Sequence, residues 1–131
     1  MAVHRWVPRL VVDAAHLDQL REHGGLPGIR DENALEAALA REPQKAHHQP
    51  KTDIAALAAA CAFELAKANP FNDGNKRIAF LTAVIFLGLN GKDFDATEAE
   101  VVQAMTALAA GSLTEAAMAR WIRERLVRLK V

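Results

Sequence analysis

Polar residues that suit phosphate chemistry are concentrated in residues 68–77, whose sequence is ANPFNDGNKR. Asp73 is a hard oxygen ligand, and one carboxylate together with phosphate oxygens is the usual way in which a protein holds Mg²⁺. Gly74 lets the backbone approach a ligand closely. Lys76 and Arg77 are adjacent in sequence and about 100° apart around a helix. They can therefore bind different phosphate groups of one polyphosphate. The stretch therefore predicts a site for Mg²⁺ and phosphate groups.

The competing interpretation of this stretch is an ordinary polar turn. The letters NDGN alone favour the turn, and the Lys-Arg pair after them would then lie on a solvated helix face. The pair leads directly into residues 78–89, which carry no charge, and this arrangement favours a site. Asn75 adds donors at the same point. Phe71, between polar neighbours, is predicted to anchor the loop in the core.

Two apolar helices are predicted to hold this loop. The first ends at Asn69, because Pro70 disfavours helical geometry in the residue before it. The second starts near Asn75 or Lys76 and stops at Asn90-Gly91. Free backbone N–H groups and the helix dipole at the start of the second helix attract anions.

The other helices are predicted from cap signals before the loop. Asp13 starts a helix that ends at Gly24-Gly25, and Asp31 starts one that runs to about Arg41. A polar loop follows, REPQKAHHQPKTD, bracketed by prolines. The next helix starts at Thr52-Asp53, near the end of that polar loop, and leads to residues 69–77, which we call the phosphate loop. A short strand is also predicted within residues 7–12.

Two capping boxes start the last helices, TEAE at Thr97–Glu100 and SLTE at Ser112–Glu115. The final helix is predicted to turn four apolar side chains inward. They are Met118, Trp121, Ile122 and Leu129. No repeat or domain boundary is visible, so we expect an all-α fold of about six helices in one domain, residues 1–131.

The composition restricts the class of protein further. The chain has 131 residues, 51% of them hydrophobic, and 16 basic against 16 acidic residues give a formal net charge of +0. A free-standing nucleic-acid or membrane-surface binder would normally be basic. The longest apolar run, 12 residues, is shorter than the ~20 that cross a bilayer. The lone Cys61 excludes an internal disulfide and is predicted to be a small buried hydrophobe. We expect a cytoplasmic protein.

The loop and its surroundings resemble a known family. NPFNDGNKR is similar to the Fic signature, which is HPFxDGN followed by Gly or Lys and then Arg; eight of nine positions fit. Three further segments resemble the Doc (death-on-curing) branch of Fic proteins: GGLPGIRDENALEAALARE, IAFLTAVIFLGLNG and LAAGSLTEAAMARWIR. Lys76 indicates this branch. Fic proteins that transfer AMP typically have Gly there, and many have a further Arg where this chain has Phe80.

The resemblance implies a toxin of a toxin–antitoxin pair. Its family acts as a protein kinase that transfers the γ-phosphate of ATP to a threonine of elongation factor Tu and so stops translation. The implied partner is a Phd-type antitoxin, which itself binds DNA and inserts its C-terminal segment into a groove of the toxin. Carried over by position, Asp73 would bind Mg²⁺, Gly74 and Asn75 would form the anion-binding turn, and Lys76 and Arg77 would hold the phosphates.

The resemblance fails at Asn69, where the family has the histidine that takes the proton from the target hydroxyl. An amide has no titratable proton near neutral pH and cannot act as this base. Losing a general base typically costs ~10²–10⁴ in rate. Two explanations compete: an introduced or selected inactivation of a toxin that is hard to produce, which we favour, and a naturally silenced or divergent homologue.

Two alternative functions stay open at this point. AMP transfer to a protein hydroxyl is one, and Lys76 argues against it. The other is a catalytically dead module that sequesters antitoxin and tunes its repression of DNA.

Of the five histidines, His47 and His48 are the two that could approach the site and partly replace the missing base. In Fic proteins, the loop that holds His47 and His48 flanks the active site, although exposed loop residues are the favoured interpretation here. His16 is predicted to be partly buried and satisfied, and His4 and His23 are predicted to lie on the surface.

Overall fold

The computed structural model describes residues 4–129, and within them six α-helices and two short β-strands. The helices are α1 (Arg9–His23), α2 (Glu32–His48), α3 (Ile54–Ala68), α4 (Asn75–Leu89), α5 (Glu98–Ala110) and α6 (Glu115–Glu124). The strands are β1 (Lys92–Phe94) and β2 (Leu126–Arg128), paired antiparallel. The predicted all-α class with about six helices is confirmed. Among the described helices, none is long and apolar enough to cross a membrane.

Helix α3 is the centre of the core and packs against α2, α4 and α6. Most of its buried side chains are alanines, so the neighbouring helices can approach its backbone closely. Cys61 is 2% exposed on this helix, and burial raises the pKa of its thiol well above the ordinary value. The predicted role of Cys61 as a small buried hydrophobe is confirmed, because a thiol that resists ionisation is a poor nucleophile.

The predicted N-caps next to the site region are confirmed. Asp31 accepts a hydrogen bond from Ala34 N at 3.0 Å at the start of α2. Asp53 does the same with Ala56 N at 2.9 Å at the start of α3. At α5 the Thr97–Glu100 capping box has both of its reciprocal bonds. These short polar side chains satisfy backbone donors that the first helical turn leaves free.

Helix α1 begins earlier than predicted. It starts at Arg9 after Pro8, and Asp13 lies inside it, where its carboxylate accepts from Arg9 Nε at 2.9 Å. The predicted short strand within residues 7–12 is therefore wrong. Val12 is completely buried, so an apolar side chain that suggested a strand instead extends the buried stripe of a helix.

Helix α2 also exceeds its predicted length, running past Arg41 and through Pro43 to His48. The predicted loop between the two prolines is wrong except for its last residues. Buried side chains continue along the helix to Glu42, and Lys45 forms an ion pair with Glu115 of α6 at 2.8 Å. Packing against neighbouring helices therefore outweighs the local cost of a proline within the helix.

The C-terminal region departs from the prediction in two places. Thr114, and not Ser112, caps α6 by accepting from Ala117 N at 3.1 Å, so the second predicted capping box is wrong. The chain then leaves the helix and forms β2, which places Leu129 after the strand, 36% exposed. Strands of three residues are too short to show an alternating pattern, so no strand is predicted in these two segments.

Glu42 is an acidic side chain in the core, 3% exposed, with no hydrogen-bond partner for its Oε2 atom among the described residues. Burial raises the pKa of its carboxyl from 4.5 to about 8. The native state therefore holds a proton there that the unfolded chain loses above pH 4.5. Its stabilising effect is complete below that value and is lost as the pH rises through about 8.

We expect Glu42→Gln to remove this pH dependence. Between about pH 5 and pH 8 the unmodified chain should lose stability and the variant should not. The free energy of unfolding of the variant minus that of the unmodified chain should therefore increase by up to ~1.4 kcal/mol for each pH unit. Urea unfolding of both proteins across this range measures the difference. Glu36→Gln, on the exposed face of the same helix, is the control. A constant difference between Glu42→Gln and the unmodified chain would contradict the buried titration.

Candidate active site

A cavity of about 780 Å³ opens between the end of α1, the loop after α3, the start of α4 and helix α5. All of the site residues that the sequence singled out line it. They are Asn69, Asp73, Gly74, Asn75, Lys76 and Arg77. The cavity continues along α4 and α5 as an apolar groove. Its walls are Phe80, Val84, Phe94, Val101, Val102 and Met105.

Asn69 ends α3 in the left-handed conformation, with φ 48° and ψ 51°. Asn and His are among the few non-glycine residues that adopt this region readily. The guanidinium of Arg30 fixes the backbone here, with Nε donating to the Asn69 carbonyl at 2.8 Å and a terminal nitrogen donating to the Ala68 carbonyl at 2.9 Å. The side chain of residue 69 is exposed at the cavity from a position that the backbone determines.

The loop between α1 and α2 is the element that holds the phosphate loop. The backbone N–H groups of Arg30 and Asp31 both donate to the Pro70 carbonyl, at 2.8 and 3.0 Å. Asn72 N donates to the Gly28 carbonyl at 3.0 Å, and Ile29 forms an isolated bridge with Phe71. The sequence showed residues 24–30 only as a Gly- and Pro-rich loop, and its position over the site is a finding of the structure.

Asp73 presents its carboxylate to the cavity in a fixed orientation. One oxygen accepts from Leu26 N at 3.2 Å and the other from Gly74 N at 3.1 Å. A side chain at Gly25 would meet this carboxylate, since its Cβ would lie 3.2 Å from Asp73 Oδ2. Two backbone donors leave other lone pairs of the exposed carboxylate free, and the donor set fits a Mg²⁺ ion that takes its remaining ligands from phosphate and water.

His16 and Asn75 fix the other side of the loop. His16 is buried, its Nε2–H donates to the Asp73 carbonyl at 2.8 Å, and its ring stacks on Phe71 with centroids 3.8 Å apart. The Asn75 amide accepts from Phe71 N and donates to Phe71 O, both at 2.9 Å. The buried, satisfied His16 and the anchoring Phe71 are confirmed. Asn75 was expected to offer its side-chain donors to the anion, but its amide is bonded to the backbone of Phe71.

The start of α4 has the features of an anion-binding helix end. Gly74 is the N-cap with φ 74°, a left-handed conformation, and no side chain caps the helix. The first backbone bond of the helix runs from Ile78 N to Gly74 O, so the preceding N–H groups have no partner within the helix. Lys76 and Arg77 are exposed beside them. Backbone donors, the helix dipole and two cations thus converge where phosphate groups would bind.

His23, His47 and His48 are exposed, as expected, but their places in the fold differ from the expectation. His47 and His48 form the last turn of α2 and are not among the residues that line the cavity. His23, predicted to be a surface residue, lines the cavity together with Gln19, one helical turn before it on α1. The sequence signal for this pair was that Gln19 and His23 are four residues apart, and so lie on one face of a helix, directly before Gly24-Gly25. Only the folded chain brings that end of α1 to the loop after α3.

The sequence pattern of the Fic/DOC family matches residues 6–87, which contain α1, α2, α3, the loop after α3 and all but the last two residues of α4. The chain belongs to the Fic/DOC family. Within that family it falls in the Doc branch, since it is 35% identical over 86 residues to the protein kinase doc of Escherichia phage P1. The matched segment covers 65% of this chain and 68% of that relative. The resemblance seen at the motif is therefore confirmed.

Proposed function

We propose that this chain, residues 1–131 as one domain, is a cytoplasmic toxin of the Doc type. In this proposal it is an ATP–Mg²⁺-dependent protein kinase scaffold that transfers the γ-phosphate to a threonine of elongation factor Tu. The arrangement of Asp73, Lys76 and Arg77 around the uncapped start of α4 carries the proposal. The similarity to a relative named protein kinase doc supports it.

Each residue of the loop has a role in the proposed reaction. The Asp73 carboxylate would hold Mg²⁺, which when bound neutralises charge on the phosphate oxygens. The backbone N–H groups after Gly74 would donate hydrogen bonds to phosphate oxygens. Lys76 and Arg77 would stabilise the charge that develops during transfer. Phosphoryl transfer depends mainly on such positioning and charge stabilisation. Asn69 would leave the target hydroxyl without the base that the family has at this position, so we expect strongly impaired transfer.

The first test of this proposal removes the metal ligand. We expect Asp73→Asn to weaken the binding of ATP in the presence of Mg²⁺ by about 10–100-fold, since even a group that only supports a metal ligand is worth that much. Isothermal titration of ATP into both proteins, with and without Mg²⁺, measures it. In the absence of Mg²⁺ the two proteins should bind ATP more nearly alike. Asp18→Asn, an exposed carboxylate of α1 outside the cavity, is the control. Equal affinity of Asp73→Asn and the unmodified chain with Mg²⁺ would contradict the assigned role.

A second candidate function is the catalytically dead module that binds a Phd-type antitoxin and tunes its repression. The apolar groove between α4 and α5 favours it, because Val102 on its wall is 59% exposed. An apolar wall beside the phosphate loop is the surface that an antitoxin segment would cover. Tight antitoxin binding without any ATP binding would support this function over the kinase scaffold.

AMP transfer is the other enzymatic alternative, and Lys76 is the argument against it. Transfer of AMP would need the α-phosphate of the nucleotide at the loop. Incubating the Asn69→His protein and elongation factor Tu with ATP labelled in either the α- or the γ-phosphate separates the two reactions. Under the kinase proposal only the γ-label is incorporated.

A further inference from the structure

The end of α1 brings an imidazole to the same cavity as Asn69. His23 is the one histidine among the described residues that line this cavity. Its side chain is 32% exposed, and its Nε2 lies 3.9 Å from the carboxylate of Glu22, which is too far for a hydrogen bond. A neutral imidazole has one nitrogen that accepts a proton, which the amide of Asn69 lacks.

The chain geometry limits how far His23 lies from the phosphate loop. An ideal Cβ on Gly25 would be 3.2 Å from Asp73 Oδ2, so the Gly25 Cα lies within about 5 Å of the carboxylate. His23 is two residues earlier, and two Cα–Cα steps span at most about 7.6 Å. The backbone of His23 thus starts within about 12 Å of the metal ligand. His23 lines the same cavity as Asn69 and the first residues of α4, so its imidazole and the proposed phosphate site share one space.

Other groups in the cavity are less suited to accept the proton. Both carboxylate oxygens of Asp73 already accept backbone hydrogen bonds, and the proposed function uses them for Mg²⁺. The cations of Lys76 and Arg77 are donors only. Glu98 lines the cavity from the start of α5, beside the apolar walls. Its carboxylate is the alternative proton acceptor, and the variant Glu98→Gln tests it.

We propose that His23 is the catalytic residue that accepts the proton during residual phosphoryl transfer by this chain. The inference rests on the proposed kinase function. The hydroxyl of the target threonine gives its proton to the free imidazole nitrogen of His23, and its oxygen forms a bond to the γ-phosphorus of ATP. The bond from that phosphorus to the bridging oxygen breaks, and ADP leaves with the electron pair. The imidazolium then releases the proton to water.

The experiment measures transfer of γ-labelled phosphate from ATP to purified elongation factor Tu with Mg²⁺. Six proteins are compared: the unmodified chain, His23→Gln, His47→Gln, Glu98→Gln, Asn69→His and the double variant Asn69→His with His23→Gln. We expect slow transfer by the unmodified chain and at least a tenfold loss in His23→Gln, a smaller factor than the ~10²–10⁴ of a well-positioned general base. His47→Gln, which alters a histidine outside the cavity, should match the unmodified chain.

The double variant controls for folding. With a histidine at position 69 the transfer no longer needs His23, so the double variant should be as active as Asn69→His alone. Equal rates for the unmodified chain and His23→Gln would overturn the inference, as would a loss in Glu98→Gln that His23→Gln does not show. An inactive unmodified chain beside an active Asn69→His would overturn His23 and leave the proposed function standing. No transfer by any of the proteins would overturn both.

Discussion

Asn69→His should raise the rate of γ-phosphate transfer to elongation factor Tu by about 10²–10⁴-fold, the usual contribution of a general base. The substitution places an imidazole at the wall of the cavity that the start of α4 also lines. The groups proposed to bind phosphate already line the same cavity, so the component that the substitution adds is a proton acceptor at position 69. The rate of label transfer under saturating ATP and Mg²⁺ measures the gain.

The backbone at position 69 should accept this change without loss of stability. His, like Asn, is enriched in the left-handed region that residue 69 occupies. Arg30 binds only the backbone carbonyls of residues 68 and 69, so its clamp does not depend on the side chain. Asn69→Gly is the matched control, because it suits φ 48° and supplies no base. A comparable gain in Asn69→Gly would mean that proton transfer is not the limiting defect.

Growth provides a second measurement of the same variant. Expression of Asn69→His without an antitoxin should arrest the growth of a bacterial host, whereas the unmodified chain should be tolerated. Unaffected growth would contradict a toxin that is disabled at this position alone.

Phe71→Ala should cost about 3–5 kcal/mol in the free energy of unfolding, the usual range for a buried aromatic side chain. Phe71 is 2% exposed, stacks on His16, and has both backbone polar groups bonded to the Asn75 amide. Removing the ring leaves a cavity below the loop and takes away the stacking partner of the histidine that holds the Asp73 carbonyl. Urea unfolding measures the loss.

The consequence for binding distinguishes Phe71 from other core residues. Because the loop is anchored through Phe71, Phe71→Ala should also weaken ATP–Mg²⁺ binding under conditions where the protein is still folded. Phe86→Ala is the matched control, since Phe86 is also fully buried but stacks on Trp6, away from the loop. Similar instability of the two variants is expected, with weaker nucleotide binding only in Phe71→Ala. Normal binding by folded Phe71→Ala would show that the ring does not position the loop.

The parts of the site that are local in sequence could be predicted. Residues 69–77 are contiguous, and their chemistry, the proline before the loop and the glycine at the helix start follow from rules that act over a few residues. Asp31, Asp53 and Thr97 identified helix starts for the same reason. The family resemblance added the role that each position would have.

The features that could not be predicted from the sequence depend on contacts between residues that are far apart in the chain. Arg30 reaches a carbonyl 39 positions away, and His16 one that is 57 positions away. A single sequence has no local signal for such pairs. The extension of α2 through Pro43 has the same origin, because packing along the buried stripe and the Lys45–Glu115 pair offset a local helix breaker.

The left-handed cap at position 69 has a genetic consequence. Codons for Asn and His differ in their first base only, and the two residues suit this backbone conformation equally. One nucleotide substitution would therefore switch the chemistry of the site while the fold stays as it is. A gene for this chain is one step from the histidine form, and selection between the two forms would act on the host's growth and hardly at all on the stability of the protein.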